Sequence, residues 1–198
     1  MTAKTLKAAR GSATPASVDS RTGRLQRARW LPSPNFDERP DGSGISLLVI
    51  HNISLPPDQF GGGWIDDLFL NRLDFDAHPY FDGLRELKVS PHCCIFRDGR
   101  LTQYVSFNQR AWHAGKSQFE GRERCNDFSI GIELEGCDTK PFTKAQYQRL
   151  LRVTRALQVA YPAITAGRIV GHSDIAPGRK TDPGPHFDWA YFKDELGT

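Results

Sequence analysis

No stretch of this 198-residue sequence approaches the roughly 18 consecutive apolar residues that cross a bilayer as a helix, so no membrane association is expected. A secretory leader is not expected either. Residues 1–29 are rich in charge and their longest aliphatic pairing is Ala8-Ala9, whereas a leader needs an apolar stretch of about 7–15 residues. These two absences point to the cytoplasm. Cysteine is scarce: Cys93, Cys94, Cys125 and Cys137 form no CxxC pair, and in a reducing compartment they read as free thiols rather than disulfides or zinc ligands. The cluster Gly61-Gly62-Gly63 lacks the Lys-Ser/Thr of a phosphate-binding loop, which leaves mobility as its expected role. No internal repeat is present.

The charge that the sequence does carry is uneven. Up to Arg29 there are seven cations (Lys4, Lys7, Arg10, Arg21, Arg24, Arg27 and Arg29) against Asp19 alone, a local +6 in a chain whose total is +3. The remainder is therefore −3 and offers no obvious nucleic-acid face. Residues 1–22 read as a basic, poorly ordered arm and 23–198 as one domain, long enough to bury a core without staples.

Within that domain the apolar run Ile45–Ile50 follows the turn region Pro40–Gly44 and reads as a buried strand ending at His51-Asn52. Cys93–Phe96 and Leu101–Val105 flank Asp98-Gly99, a hairpin signal. Residues 128–134 alternate, with Phe128, Ile130, Ile132 and Leu134 on one face and Ser129, Gly131, Glu133 and Glu135 on the other. Thr143 with Gln146 matches a capping box, opening a helix that Pro162 ends. A short strand around Arg168–Val170, a Pro/Gly-rich loop at 177–185 and a terminal helix from about Asp188 complete the pattern. Such an order implies the α/β class: a central mixed sheet flanked by helices.

Two histidines, His51 and His172, sit where an apolar strand gives way to a loop, the place where open α/β sheets put ligands. One such histidine is more often structural than catalytic; two weaken that reading without defeating it. Lys180 and Asp182 lie two residues apart in a stretch stiffened by Pro177, Pro183 and Pro185, and face the same way if it is extended. An ordinary turn with a surface ion pair, worth about 0–1 kcal/mol, explains them equally well. Glu133 shares its strand face with small residues and either overlooks a cleft or faces solvent. Together these side chains suit a mononuclear zinc hydrolase, which needs three N/O ligands, an open fourth position and a nearby carboxylate.

The motifs LLVIHNISLPP at 47–57, HPYF at 78–81, RAWHAG at 110–115, GRERCNDFSIGIELEG at 121–136 and GRKTDPGP at 178–185 give the chain a close resemblance to the amidase/peptidoglycan-recognition family, from about Gly23 to Glu195. The resemblance is to its cytoplasmic branch acting on 1,6-anhydromuropeptides. It implies one Zn²⁺ per chain on His51, His172 and Asp182, an acid/base role for Glu133, and Lys180 beside the metal. It further implies substrate contacts from Asn52, Tyr80, Trp112, His113 and Arg124, an anhydromuropeptide as the partner, and a monomer. The reaction implied is hydrolysis of the amide joining N-acetylmuramic acid to L-alanine, in cell-wall recycling and through it β-lactamase regulation. Two other readings remain: a peptidoglycan-binding module without catalysis, expected to lack part of the zinc set, and an amidase of intact wall, in which many relatives carry Cys at the position of Asp182.

Overall fold

The computed structural model describes residues 16–197. In chain order its strands are β1 (Val18–Asp19), β2 (Arg24–Leu25), β3 (Arg29–Trp30), β4 (Phe36–Asp37), β5 (Leu47–Ile53), β6 (Cys93–Ile95), β7 (Leu101–Gln103), β8 (Arg110–Ala111), β9 (Gln118–Phe119), β10 (Arg122–Glu123), β11 (Ser129–Glu135) and β12 (Ile169–Gly171). The helices are α1 (Trp64–Phe69), α2 (Lys144–Ala160), α3 (His172–Ile175) and α4 (Trp189–Leu196). Six strands form the central sheet in the order β12-β5-β11-β6-β7-β3, in which only β6 and β7 run antiparallel. The expected mixed α/β architecture is what forms.

Alternation along the strands divides the core into layers. Leu48, Ile50, Ile130, Ile132, Leu134 and Ile169 point to one face and pack with Leu150, Leu151, Val153 and Leu157 of α2. That helix opens with the expected capping box: Thr143 Oγ1 accepts from Gln146 N–H at 3.1 Å and Gln146 Oε1 accepts from Thr143 N–H at 3.0 Å. Gln146 is fully buried because its amide also donates to the carbonyls of Ile95 and Glu135, tying the helix to the ends of β6 and β11. On the opposite face Leu47 and Val49 meet Ala114, Cys125, Phe128 and Ile175. Phe128 therefore sits on the other side of the sheet from Ile130, not on the same face. Its backbone, at φ −132° and ψ 10°, still belongs to the end of a 3-10 turn, so strand alternation starts only at Ser129.

The boundary expected between residues 22 and 23 falls inside a hairpin. β1 pairs antiparallel with β2, and Ala16 and Val18 pack against the main core, so residues 16–22 belong to the domain. The apolar side chains of this ribbon find a surface to cover, and the Asp19 carboxylate caps its turn by accepting from the Arg21 and Thr22 amides. The rest of the basic arm, residues 1–15, lies outside the described residues.

Gly61, Gly62 and Gly63 all hold φ between +79° and +85°, a left-handed run that side chains would resist. The Gly61 amide donates to the buried Glu135 carboxylate at 2.6 Å, so the cluster has a conformational reason beside the expected mobility.

Candidate active site

Parallel pairing of β12, β5 and β11 brings their C-terminal ends to one edge of the sheet. In that register Glu133 lies beside His51, and because neighbouring parallel residues share a face, both side chains project together. β12 ends at Gly171 and delivers His172 at the first position of α3. The loop after α3 returns Asp182, whose backbone carbonyl accepts from Ser173 N–H at 2.9 Å.

His51 Nδ1, His172 Nδ1 and Asp182 Oδ2 form a triangle with each edge 3.0 Å. The two histidines are nearly fully buried. Around a tetrahedral zinc with ligands at about 2.0–2.1 Å, neighbouring donor atoms stand about 3.3 Å apart, so the triangle needs to open only slightly. Its chemistry agrees with its size. His172 Nε2 lies 3.1 Å from the Ala114 carbonyl, which can only accept. With Nε2 the donor in this contact, Nδ1 faces His51 Nδ1 and the Asp182 carboxylate. Two nitrogens and a carboxylate oxygen converging in this way suit a cation between them.

The electrostatics reinforce that fit. Burial pushes the His51 pKa down to about 4, against the pull of Asp182, which keeps the ring neutral and its lone pair available. Burial alone would raise the Asp182 carboxyl, yet the contacts with His172 and His51 outweigh it and hold the group well below the usual carboxylate range.

The triangle lines a cavity of about 230 Å³ together with Asn52, Tyr80, Trp112, Glu133 and Lys180. Leu68, Phe69, Leu84 and Leu87 give it an apolar wall. Glu133 Oε2 is buried with no hydrogen-bond partner in the protein, an arrangement that costs stability unless a ligand or water completes it. Burial, and then the nearby Asp182 charge, raise the Glu133 pKa well above the carboxylate range, while Lys180 opposes them. Asn52 contributes less directly: its amide donates to Asp138 Oδ1 at 2.8 Å and to the Pro183 carbonyl at 3.0 Å, holding the Asp182 loop against β5.

Two of the residues expected to touch substrate also engage groups of the protein itself. Arg124 is exposed, pairs with Asp127 at 3.3 Å, and lines a separate depression with Lys116 and Arg179. Its left-handed backbone at φ +60° ends the β9–β10 ribbon. His113 borders the cavity, but its ring nitrogens engage His51 Nε2 at 2.9 Å and Ser129 Oγ at 3.1 Å.

Sequence reasoning missed the groups behind this edge. Arg39 reaches under the sheet and donates to the carbonyls of Phe107, Asn126, Asp127 and Ser129 at 2.8–3.4 Å. His92 accepts from Gly131 N–H through Nδ1 at 3.0 Å and donates from Nε2 to the Gln109 carbonyl at 3.1 Å. Only the Pro-Gly turn after Arg39 and the lone histidine before Cys93 mark these positions in the chain.

Burial, and then the Arg39 charge, hold the His92 pKa well below 6.5. Below about pH 6.5 the unfolded chain takes up a proton at this position that the folded protein refuses. His92 therefore contributes stability that is intact above pH 6.5 and is lost as pH falls through its folded value. The urea midpoint is expected to drop between pH 7 and 5, and less steeply in His92→Gln; equal slopes would contradict this.

Residues 41–185 match the N-acetylmuramoyl-L-alanine amidase family. Over 171 residues the chain is 63% identical to the 1,6-anhydro-N-acetylmuramyl-L-alanine amidase AmpD of Citrobacter freundii, covering 86% of this chain and 91% of that one. The crystal structure of a selenomethionine derivative of AmpD superposes with a TM-score of 0.87 at 60% identity, covering 90% of this chain and 98% of that one. The amidase AmiD from Escherichia coli, in complex with its substrate anhydro-N-acetylmuramic acid-L-Ala-D-γ-Glu-L-Lys, superposes with a TM-score of 0.58 at 30% identity, covering 81% of this chain and 65% of that one.

Proposed function

This chain belongs to the N-acetylmuramoyl-L-alanine amidase family, and from that premise we propose that it hydrolyses the amide between 1,6-anhydro-N-acetylmuramic acid and L-alanine in muropeptides, using one zinc ion. The observation that carries this reading is the His51–His172–Asp182 triangle opening on the same cavity as the unpartnered Glu133 carboxylate. His51, His172 and Asp182 would hold the zinc. When bound, zinc polarises a carbonyl and lowers the pKa of water towards about 7.

The protein's own groups do the rest. Glu133 takes the proton of the attacking water as it adds to the lactyl carbonyl, then delivers it to the departing alanine nitrogen. Burial gives Glu133 the proton affinity of a useful base, while the Lys180 charge favours its ionised form. Lys180 also faces the negative charge that develops on the carbonyl oxygen, a contribution whose loss typically costs about 10²–10³ in turnover. Trp112 and Tyr80 form the walls against which sugar and peptide lie.

The anhydromuramyl amide that AmpD acts on, the AmiD complex and the carboxylate at Asp182 support anhydromuropeptides over intact wall, and we extend that reading to a cytoplasmic monomer working in wall-fragment recycling and β-lactamase control. No helix among the described residues is long and apolar enough to cross a membrane. The test is mass spectrometry of products from anhydromuropeptides and from intact sacculi, with and without a chelator. Cleavage of the soluble fragments is expected to fall to background on chelation and return with Zn²⁺. Full activity in verified metal-free protein would remove zinc from the reaction, and preferential release from sacculi would reassign the substrate.

A further inference from the structure

The outward nitrogen of His51 meets no water-facing group. It meets His113 Nδ1 at 2.9 Å, and the far nitrogen of His113 meets Ser129 Oγ at 3.1 Å. A metal on His51 Nδ1 requires that nitrogen to be bare, so the ring proton must sit on Nε2 and needs an acceptor there. His113 supplies it only as the tautomer protonated on Nε2, and Ser129 Oγ stands at 3.1 Å to accept that proton's hydrogen bond. One assignment satisfies every atom in the row: His51 Nε2–H to His113 Nδ1, then His113 Nε2–H to Ser129 Oγ.

The surroundings hold the His113 ring in this place. The His113 and Ala114 amides both donate to Asn126 Oδ1, at 3.2 and 2.8 Å, fixing the backbone. His92 packs edge-on against the ring with centroids 5.6 Å apart. Beneath it lies Gly131, where a Cβ would overlap the imidazole. The glycine in the β11 motif is thus the floor on which His113 lies, one strand step from Glu133. Histidine 113 has the geometry of an outer partner to the metal site, not of a residue offering its polar atoms to substrate.

We propose that His113 and Ser129 are positioning residues that set the tautomer and orientation of His51 for metal binding. This inference rests on the metal-centre reading above. Its test is the Zn²⁺ dissociation constant of the full chain, measured by competition with a chromophoric chelator, for the unmodified protein and for His113→Phe, His113→Asn and Ser129→Ala. Phe fills the ring's space without an acceptor, whereas Asn keeps an acceptor near the position of Nδ1. Losing an outer partner of a metal ligand costs about 10–100-fold in affinity, so His113→Phe is expected to weaken binding by that factor. His113→Asn should recover most of the loss, and Ser129→Ala should fall between the unmodified protein and His113→Phe. If His113 only filled space, Phe would bind zinc more tightly than Asn, and that order would overturn the proposal. Long-range ¹⁵N–¹H spectra of the zinc-loaded protein should show His51 protonated at Nε2; protonation at Nδ1 would equally overturn it. Failure of the unmodified protein to bind Zn²⁺ would instead sink the metal centre itself.

Discussion

Glu133→Gln is expected to lower turnover by about 10²–10⁴-fold while zinc stays bound, the range typical for removing a positioned general base. The substitution keeps the shape of the side chain and removes its ability to take a proton at neutral pH. Because Glu133 Oε2 has no partner in the protein, the change breaks no hydrogen bond at that atom and deprives no protein donor of its acceptor. It also removes an acid that burial disfavours when charged, so the variant should fold at least as well as the original. Single-turnover rates, with metal content measured on the same sample, separate the effects. A near-normal rate with zinc in place would locate the proton acceptor elsewhere.

Asp182→Asn should act on the other half of the site and produce the larger loss of metal. The carboxylate supplies the one formal negative charge of the triangle and faces both Nδ1 atoms at 3.0 Å. An asparagine can turn its amide so that Nδ2–H donates to those lone pairs, closing the triangle on itself. Zinc affinity is then expected to fall by at least about 100-fold, the upper end of what losing a mere outer partner costs. The metal-free variant should not gain stability over the metal-free original, because the carboxylate it loses is one that the fold favours in its ionised form. Chelator competition and thermal unfolding of the metal-free proteins measure the two quantities. Unchanged zinc affinity would exclude Asp182 as a ligand.

Much of this arrangement is local enough to be read from the chain. The apolar run before His51, the alternation through Ile130–Leu134 and the Thr143–Gln146 box are each set by neighbours within a few residues, and each forms, although β5 starts at Leu47 and runs on through His51 to Ile53. The strand ends flagged His51 and His172, although only the resemblance joined them to Asp182; the fold then brought the three together. What escaped depends on distant partners. Nothing near residue 39 announces that Arg39 will gather carbonyls from Phe107 to Ser129. Glu135 looks like Glu133 in the strand pattern, yet it accepts from the Gly61 and Arg97 amides, one at each carboxylate oxygen. His113 and Arg124 were expected at the substrate because their motifs are. The turn at Arg124 and the ring contacts of His113 are settled by tertiary packing, which carries no periodic trace.

The distances along the chain within the triangle have a consequence for the life of the molecule. His51 stands 121 residues from His172 and 131 from Asp182, so no fragment of the backbone can assemble the set before β12 has docked beside β5. A cation held there fastens opposite ends of the domain and is released whenever the sheet opens. Its occupancy then adds to the work of unfolding, by about 2.7 kcal/mol when the free ion stands at a hundred times its dissociation constant. Zinc supply in the cell would govern not only how fast each copy turns over substrate but how many copies escape proteolysis, so that scarcity of the metal thins the population as well as idling it.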